Sequence, residues 1–99
     1  MHPPIDLDRL VGEWWEVAGT QQALELESEL EREVTEEHVL AGVVASAVAV
    51  KRHLKDVVFW LPERSEWAAV HLTYVEESDP RWPSTVVSAD WETLLSELS

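Results

Sequence analysis

Between Asp56 and Val75 the chain reads DVVFWLPERSEWAAVHLTYV, two runs of strand length rich in β-branched and aromatic residues, joined by the polar tetrapeptide ERSE. A link that short favours antiparallel neighbours, because a parallel crossover needs about a dozen residues or more. Pro62 ends the first run, DVVFWLP. In the second, WAAVHLTYV, the two-residue period places Trp67, Ala69, His71, Thr73 and Val75 on one face and Ala68, Val70, Leu72 and Tyr74 on the other. The short link therefore favours an antiparallel hairpin.

The flanking segments extend this unit. Upstream, after Gly42, VVASAVAV is almost continuously apolar, as expected of a central strand, and KRHLKD supplies a polar turn into the hairpin. Downstream, the loop EESDPRWPS leads to a short extended TVVS, and Ser88 or Asp90 can cap a last helix, ADWETLLSELS, with Trp91, Leu94, Leu95 and Leu98 on its apolar side. At the N-terminus, Leu7, Leu10, Val11, Trp14, Trp15 and Ala18 recur at three- and four-residue spacing and predict an amphipathic helix capped by Asp6 or Asp8. Thr20 can cap a second helix through about Val34, with Ala23, Leu26 and Leu30 as its apolar stripe, although LELESEL also alternates like a strand. The expected architecture is α+β: N-terminal helices, a three- to four-stranded antiparallel sheet and a C-terminal helix. It forms a single domain over 1–99, with an acidic helical part at 1–37 and the sheet and C-terminal helix at 38–99.

Charge narrows the function. The 99 residues carry a net −13, and residues 1–37 hold eleven acids against Arg9 and Arg32, or −9 of that total. Such a field repels phosphate backbones and anionic lipid, so no nucleic-acid or membrane partner is expected and a basic protein partner is favoured. No cysteine is present, which removes disulfides, thiolate catalysis and Cys-ligated metal. MHPPIDLD has neither the basic nor the apolar segment of a signal peptide. VLAGVVASAVAV covers 12 residues against the roughly 20 that span a bilayer, and a cytoplasmic location is expected. Six Trp in so short a chain bring roughly 200 Å² of buriable surface each, with an indole N–H that wants a partner.

From about His38 to Trp91 the chain resembles a family of small, uncharacterised bacterial proteins. The likeness is carried by His38-Val39-Leu40-Ala41-Gly42, DVVFWLP, WAAVHLTY and DPRWPST. The family pattern has Gly-His-Pro where this chain has Glu37-His38-Val39, and Trp where it has Tyr74. The resemblance implies a shared fold over about half the chain and no particular activity.

Four places invite a functional reading. Arg81 and Trp82 lie between Pro80 and Pro83, which stiffen the loop, and Arg and Trp are residue types in which binding hot spots are enriched; the plainer reading is that Trp82 folds back as a lid on the core while Arg81 pairs with Glu76, Glu77 or Asp79. His71 beside Thr73 could act as a base next to a hydroxyl, yet no G-x-S-x-G elbow and no third member to orient the histidine stand nearby, so a structural histidine is the plainer reading. Glu36, Glu37 and His38 are hard metal ligands by type but lack a recognised ligand spacing, so neither metal nor cofactor is expected. Lys51, Arg52, His53 and Lys55 form the one basic cluster, which suits a solubilising hairpin tip or a contact with the acidic helix of a second copy in a homodimer. The α-βββ-α order also matches double-stranded-RNA-binding domains, but the chain lacks their basic surface.

Together these features favour a small acidic, non-catalytic protein-interaction module that uses its acidic helices or the Arg81-Trp82 loop, an inhibitor or immunity-like protein being one concrete form. The rival is a small enzyme or ligand-binding domain with a pocket around His71, Thr73 and Trp82. A third reading, a nucleic-acid mimic that presents carboxylates to a basic protein, predicts binding that weakens steeply with salt.

Overall fold

The computed structural model describes residues 9, 12–75, 79 and 82–98. Their backbone is a meander of five antiparallel strands in sequential order, β1 (Trp14–Glu16), β2 (Ser46–Lys51), β3 (Asp56–Leu61), β4 (Glu66–His71) and β5 (Ser84–Ser88). Helix α1 (Gln21–Glu33) lies between β1 and β2, and α2 (Trp91–Leu98) follows β5. The α+β class is as expected; among the described residues there are five strands in place of three to four and one N-terminal helix in place of two.

In the described part of the first expected helix, Trp14–Glu16 form a strand, although Trp14, Trp15 and Ala18 carry helical spacing. Gly12 and Gly19 bracket this segment with φ of +98° and +77°, a left-handed backbone that no helix continues through. Between them Trp15 pairs with Val50 and Val17 N–H reaches the Val48 carbonyl at 2.8 Å. A Cβ on Gly12 would come within 2.7 Å of the Lys51 side chain, so the glycine also permits a close approach. Leu7, Leu10 and Val11 lie outside the described residues.

α1 begins where expected. Thr20 has an extended backbone, and its hydroxyl accepts the Ala23 N–H at 3.3 Å, satisfying one of the amides a helix start leaves open. Its buried stripe runs through Ala23, Leu26, Leu30 and Glu33, while Leu24 is exposed. At α2 it is Asp90 that caps: its carboxylate accepts the Glu92 N–H and the Thr93 hydroxyl.

The helices cover opposite faces of the sheet. Ala23, Leu26 and Leu30 of α1 pack with Ala47, Val50, Val57, Phe59, Leu61, Ala68, Val70 and Leu72. On the other side Leu94 packs with Val48, Ala49, Val58, Trp67 and Ala69, under Trp14, Trp60, Trp91 and Leu98. The alternation expected for residues 67–72 is observed. In β2 it breaks, because Ala47 pairs with Phe59 and Ala49 with Val58, which leaves Val48 as an extra residue. This bulge turns Val48 and Ala49 to the same face, so one continuous apolar run serves two cores. Trp67 stacks between Trp60 and Trp91, with ring centroids 4.7 and 5.2 Å away. The Trp91 indole N–H is buried with no hydrogen-bond partner among the described residues, against the expectation that each buried indole finds one.

Candidate partner-binding surface

Thr73 belongs to a different constellation from His71. Beyond β4 the chain turns at Tyr74, whose φ is +59°, and the Thr73 N–H and hydroxyl donate to Glu33 Oε1 at 2.7 and 2.8 Å. The Tyr74 N–H donates to Oε2 of the same carboxylate at 2.8 Å, and the Tyr74 hydroxyl to the Leu54 carbonyl. Glu33 itself has 0% exposure. Burial raises its pKa above the ordinary carboxylate value, and a hydrogen bond shared with Glu29 adds to the rise, while the Thr73 and Tyr74 donors pull the other way. For Glu29, burial also acts upward, but it is outweighed by hydrogen bonds from Glu33 and Arg32 and by the Arg32 charge, which leave it below that value. Burial, then the two carboxylates, raises the Tyr74 phenol. Glu33 thus ties the end of β4 to α1.

His71 is exposed and held from the neighbouring strand: its Nδ1 lies 2.8 Å from Asp56 Oδ1. His53 reaches the other oxygen of the same carboxylate, Nε2 to Oδ2 at 3.1 Å, while its Nδ1 accepts the Lys55 N–H. Asp56 is thus the orienting group that sequence spacing did not disclose. It is cross-strand from His71 in the β3–β4 register and 15 positions away in the chain. Beside this pair lies a hollow of about 130 Å³ lined in part by Ser84, Val86, Glu97 and Leu98, and by neither Thr73 nor Trp82. The three residues of the rival pocket therefore stand on separate features.

His38 is buried and doubly bonded. Its Nδ1 accepts the Leu40 N–H at 3.0 Å, which places the ring proton on Nε2, 2.9 Å from the Pro83 carbonyl. It stitches the 35–42 turns to the start of β5, a role no ligand spacing could have indicated. Trp82 is 44% exposed and is no lid on the core; its peptide bond to Pro83 is cis. Arg81 lies outside the described residues, as do Glu76 and Glu77. In the basic cluster, Arg52 pairs with Glu13 at 3.3 Å and the Lys51 ammonium sits 6.0 Å from the Trp14 ring. These cations already have partners within the chain.

Two grooves flank α1. One groove of about 650 Å³ runs between α1 and the 41–45 segment, with Leu30, Val34, Leu40 and Val43 on its floor and Glu27, Glu31 and Glu36 on its walls. A second, of about 680 Å³, lies along the first turns of α1 and β2, and the two meet at Glu27. Its carboxylate accepts the Ala47 N–H at 2.9 Å. Among the described residues no Lys or Arg lines either groove. Thr35 Oγ1, in the wall of the first, is buried without a partner among the described residues. Leu24 and Val44 beside the grooves are exposed apolar side chains. The acidic pattern of α1 was legible in the sequence; the apolar floor beside it needed the fold.

No family model matches the chain, and no curated protein or solved structure does either. No helix of the described residues is long and apolar enough to cross a membrane.

Proposed function

We propose that this chain is a small cytoplasmic, non-catalytic interaction module that binds a basic protein partner along α1. The observation that carries the proposal is the 650 Å³ groove, whose apolar floor is walled by three carboxylates and, among the described residues, no cation. A partner segment presenting Lys or Arg above an apolar side would bury its stem on Leu30, Val34 and Val43 and meet Glu31 and Glu36 at the walls. Inhibition of a basic enzyme, as an immunity-like protein does, is one form such binding takes. The hollow beside His71 is smaller than the roughly 300–1,000 Å³ of ordinary ligand pockets, which weighs against the enzyme reading.

Titration of the isotope-labelled chain with a synthetic peptide of alternating Lys and Leu, followed by amide NMR, tests this. Saturable shifts at residues 30–45, abolished by the double substitution Glu31→Lys/Glu36→Lys, are expected. Shifts centred on Trp82 instead would transfer the interface to the DPRWP loop, and diffuse, non-saturating shifts over the whole acidic surface would sink the groove.

A further inference from the structure

β5 is the outermost strand on its side of the sheet. Ser84 to Ser88 pair with β4 along their full length, and among the described residues no strand pairs with their outer edge. An antiparallel edge strand directs the N–H and C=O of alternate residues outward, ready to template another strand. Native edges are commonly blunted by charge, by proline, by a bulge or by being very short. STVVS has no charge and no proline within it, and its pairing with β4 runs without a register shift. The opposite edge of the sheet differs: β1 has three residues, includes Glu16, and has the Lys51 ammonium near its Trp14 ring.

We propose that β5 is a homodimerisation edge, on which a second copy of this chain adds its own β5 antiparallel to build one ten-stranded sheet. The occupant is named by the strand's self-complementarity. Centred on Val86, the two-fold register sets Ser84 against Ser88, Thr85 against Val87 and Val86 against itself. Every cross-strand pair is then β-branched with β-branched or serine with serine, combinations that stabilise a sheet or leave it neutral, and no like charges oppose. Val86, cross-strand from Ala69, is 38% exposed and gains a partner at the axis.

The acidic helix α1 stands clear of the seam, whereas α2 packs on β5 and brings Glu97 to the hollow that Val86 lines, a like charge that further weakens the pairing. α1 packs on the β2 side, and β2 lies three strand spacings from β5, about 14 Å. Across the seam the two acidic helices stand roughly 34 Å apart on strand spacing alone, several times the ~8 Å screening length at physiological salt. Head-to-tail pairing of β5 with β1 would offer only three residues and bring Glu16 to the joint. A seam of five residues spans about 17 Å and falls short of a standard interface of roughly 1,600 Å², so the dimer is weak and depends on concentration. The seam lies across the sheet from the groove along α1 and stands or falls independently of it.

Sedimentation equilibrium over a wide concentration range, on wild type and on Val86→Lys, is the deciding experiment. A monomer–dimer equilibrium is expected, with the dissociation constant raised at least about tenfold by the like charges placed on the axis. Amide hydrogen exchange on the wild type gives a readout that does not depend on the variant's folding: alternate β5 amides should gain protection at high concentration while those of β1 do not. A wild type that stays monomeric, a dimer indifferent to Val86→Lys in a folded variant, or open-ended assembly would each overturn the proposal.

Discussion

Replacing Glu33 by alanine removes one fully buried carboxylate and strands three donors: the N–H and hydroxyl of Thr73 and the N–H of Tyr74. Each lost bond costs about 1 kcal/mol when water can reach the donor and up to about 3 when it cannot. Thr73 is half-buried and Tyr74 exposed, so the lower figure applies and the sum is about 3 kcal/mol. Domains of this size have only about 5–15 kcal/mol in total, and each kcal/mol moves Tm by roughly 4–8 °C. Thermal and urea denaturation followed by circular dichroism should therefore show Tm falling by roughly 12–24 °C. Glu33→Gln is the sharper probe. Its amide oxygen can still take both Thr73 donors, but its NH₂ faces the Tyr74 N–H, so it should lose about one hydrogen bond, a third of the alanine effect. Equal losses for the two variants, or an alanine loss below about 1 kcal/mol, would refute the view that acceptance of these donors is what the carboxylate contributes.

The same pair sets a pH dependence. Glu33 titrates above the ordinary value of 4.5 in the folded chain, so its stabilising share is present at low pH and lost as pH rises through the raised pKa. Glu29 titrates below 4.5, so its share is present above that value and lost as pH falls through the lowered pKa. Stability from the pair should peak in the mildly acid window between them, and Glu33→Gln should flatten the decline on its upper side, measured as Tm against pH. His38→Ala removes partners from the Leu40 N–H and the Pro83 carbonyl in a buried setting and should cost about 2–4 kcal/mol by urea denaturation. Trp67→Ala opens the centre of the three-indole stack and should cost about 3–5 kcal/mol, with loss of the near-ultraviolet dichroism of the coupled rings. Thr20→Ala should cost about 1 kcal/mol through the cap of α1.

What could be read ahead of the fold was local and periodic. The β3–β4 hairpin follows from two strand-like runs and a four-residue link, α1 from the Thr20 cap and the Ala23-Leu26-Leu30 spacing, and α2 from Asp90 and its leucines. Glu33 was within reach of the same reasoning, because the buried stripe continued by three residues lands on it. A carboxylate at a core position of a helix is a signal of a buried acceptor. The segment around Trp14 and Trp15 misled because apolar residues at helical spacing also contain an alternating pair. Two left-handed glycines and an open strand edge at Val50 decided for the strand.

The sequence by itself determined the α+β class, the antiparallel order and the concentration of charge on one helix, since these depend on neighbours a few residues apart and on summed composition. Tertiary structure alone decided which groups meet. Asp56 finds His71 through cross-strand register, Glu33 finds Thr73 and Tyr74 forty positions on, and His38 holds the Pro83 carbonyl from the turns after α1. The bulge at Val48 decided which face each residue of β2 serves. The physical reason is that local pattern specifies how a segment folds, whereas a buried polar group is specified by whatever donor or acceptor the completed packing brings within hydrogen-bond reach.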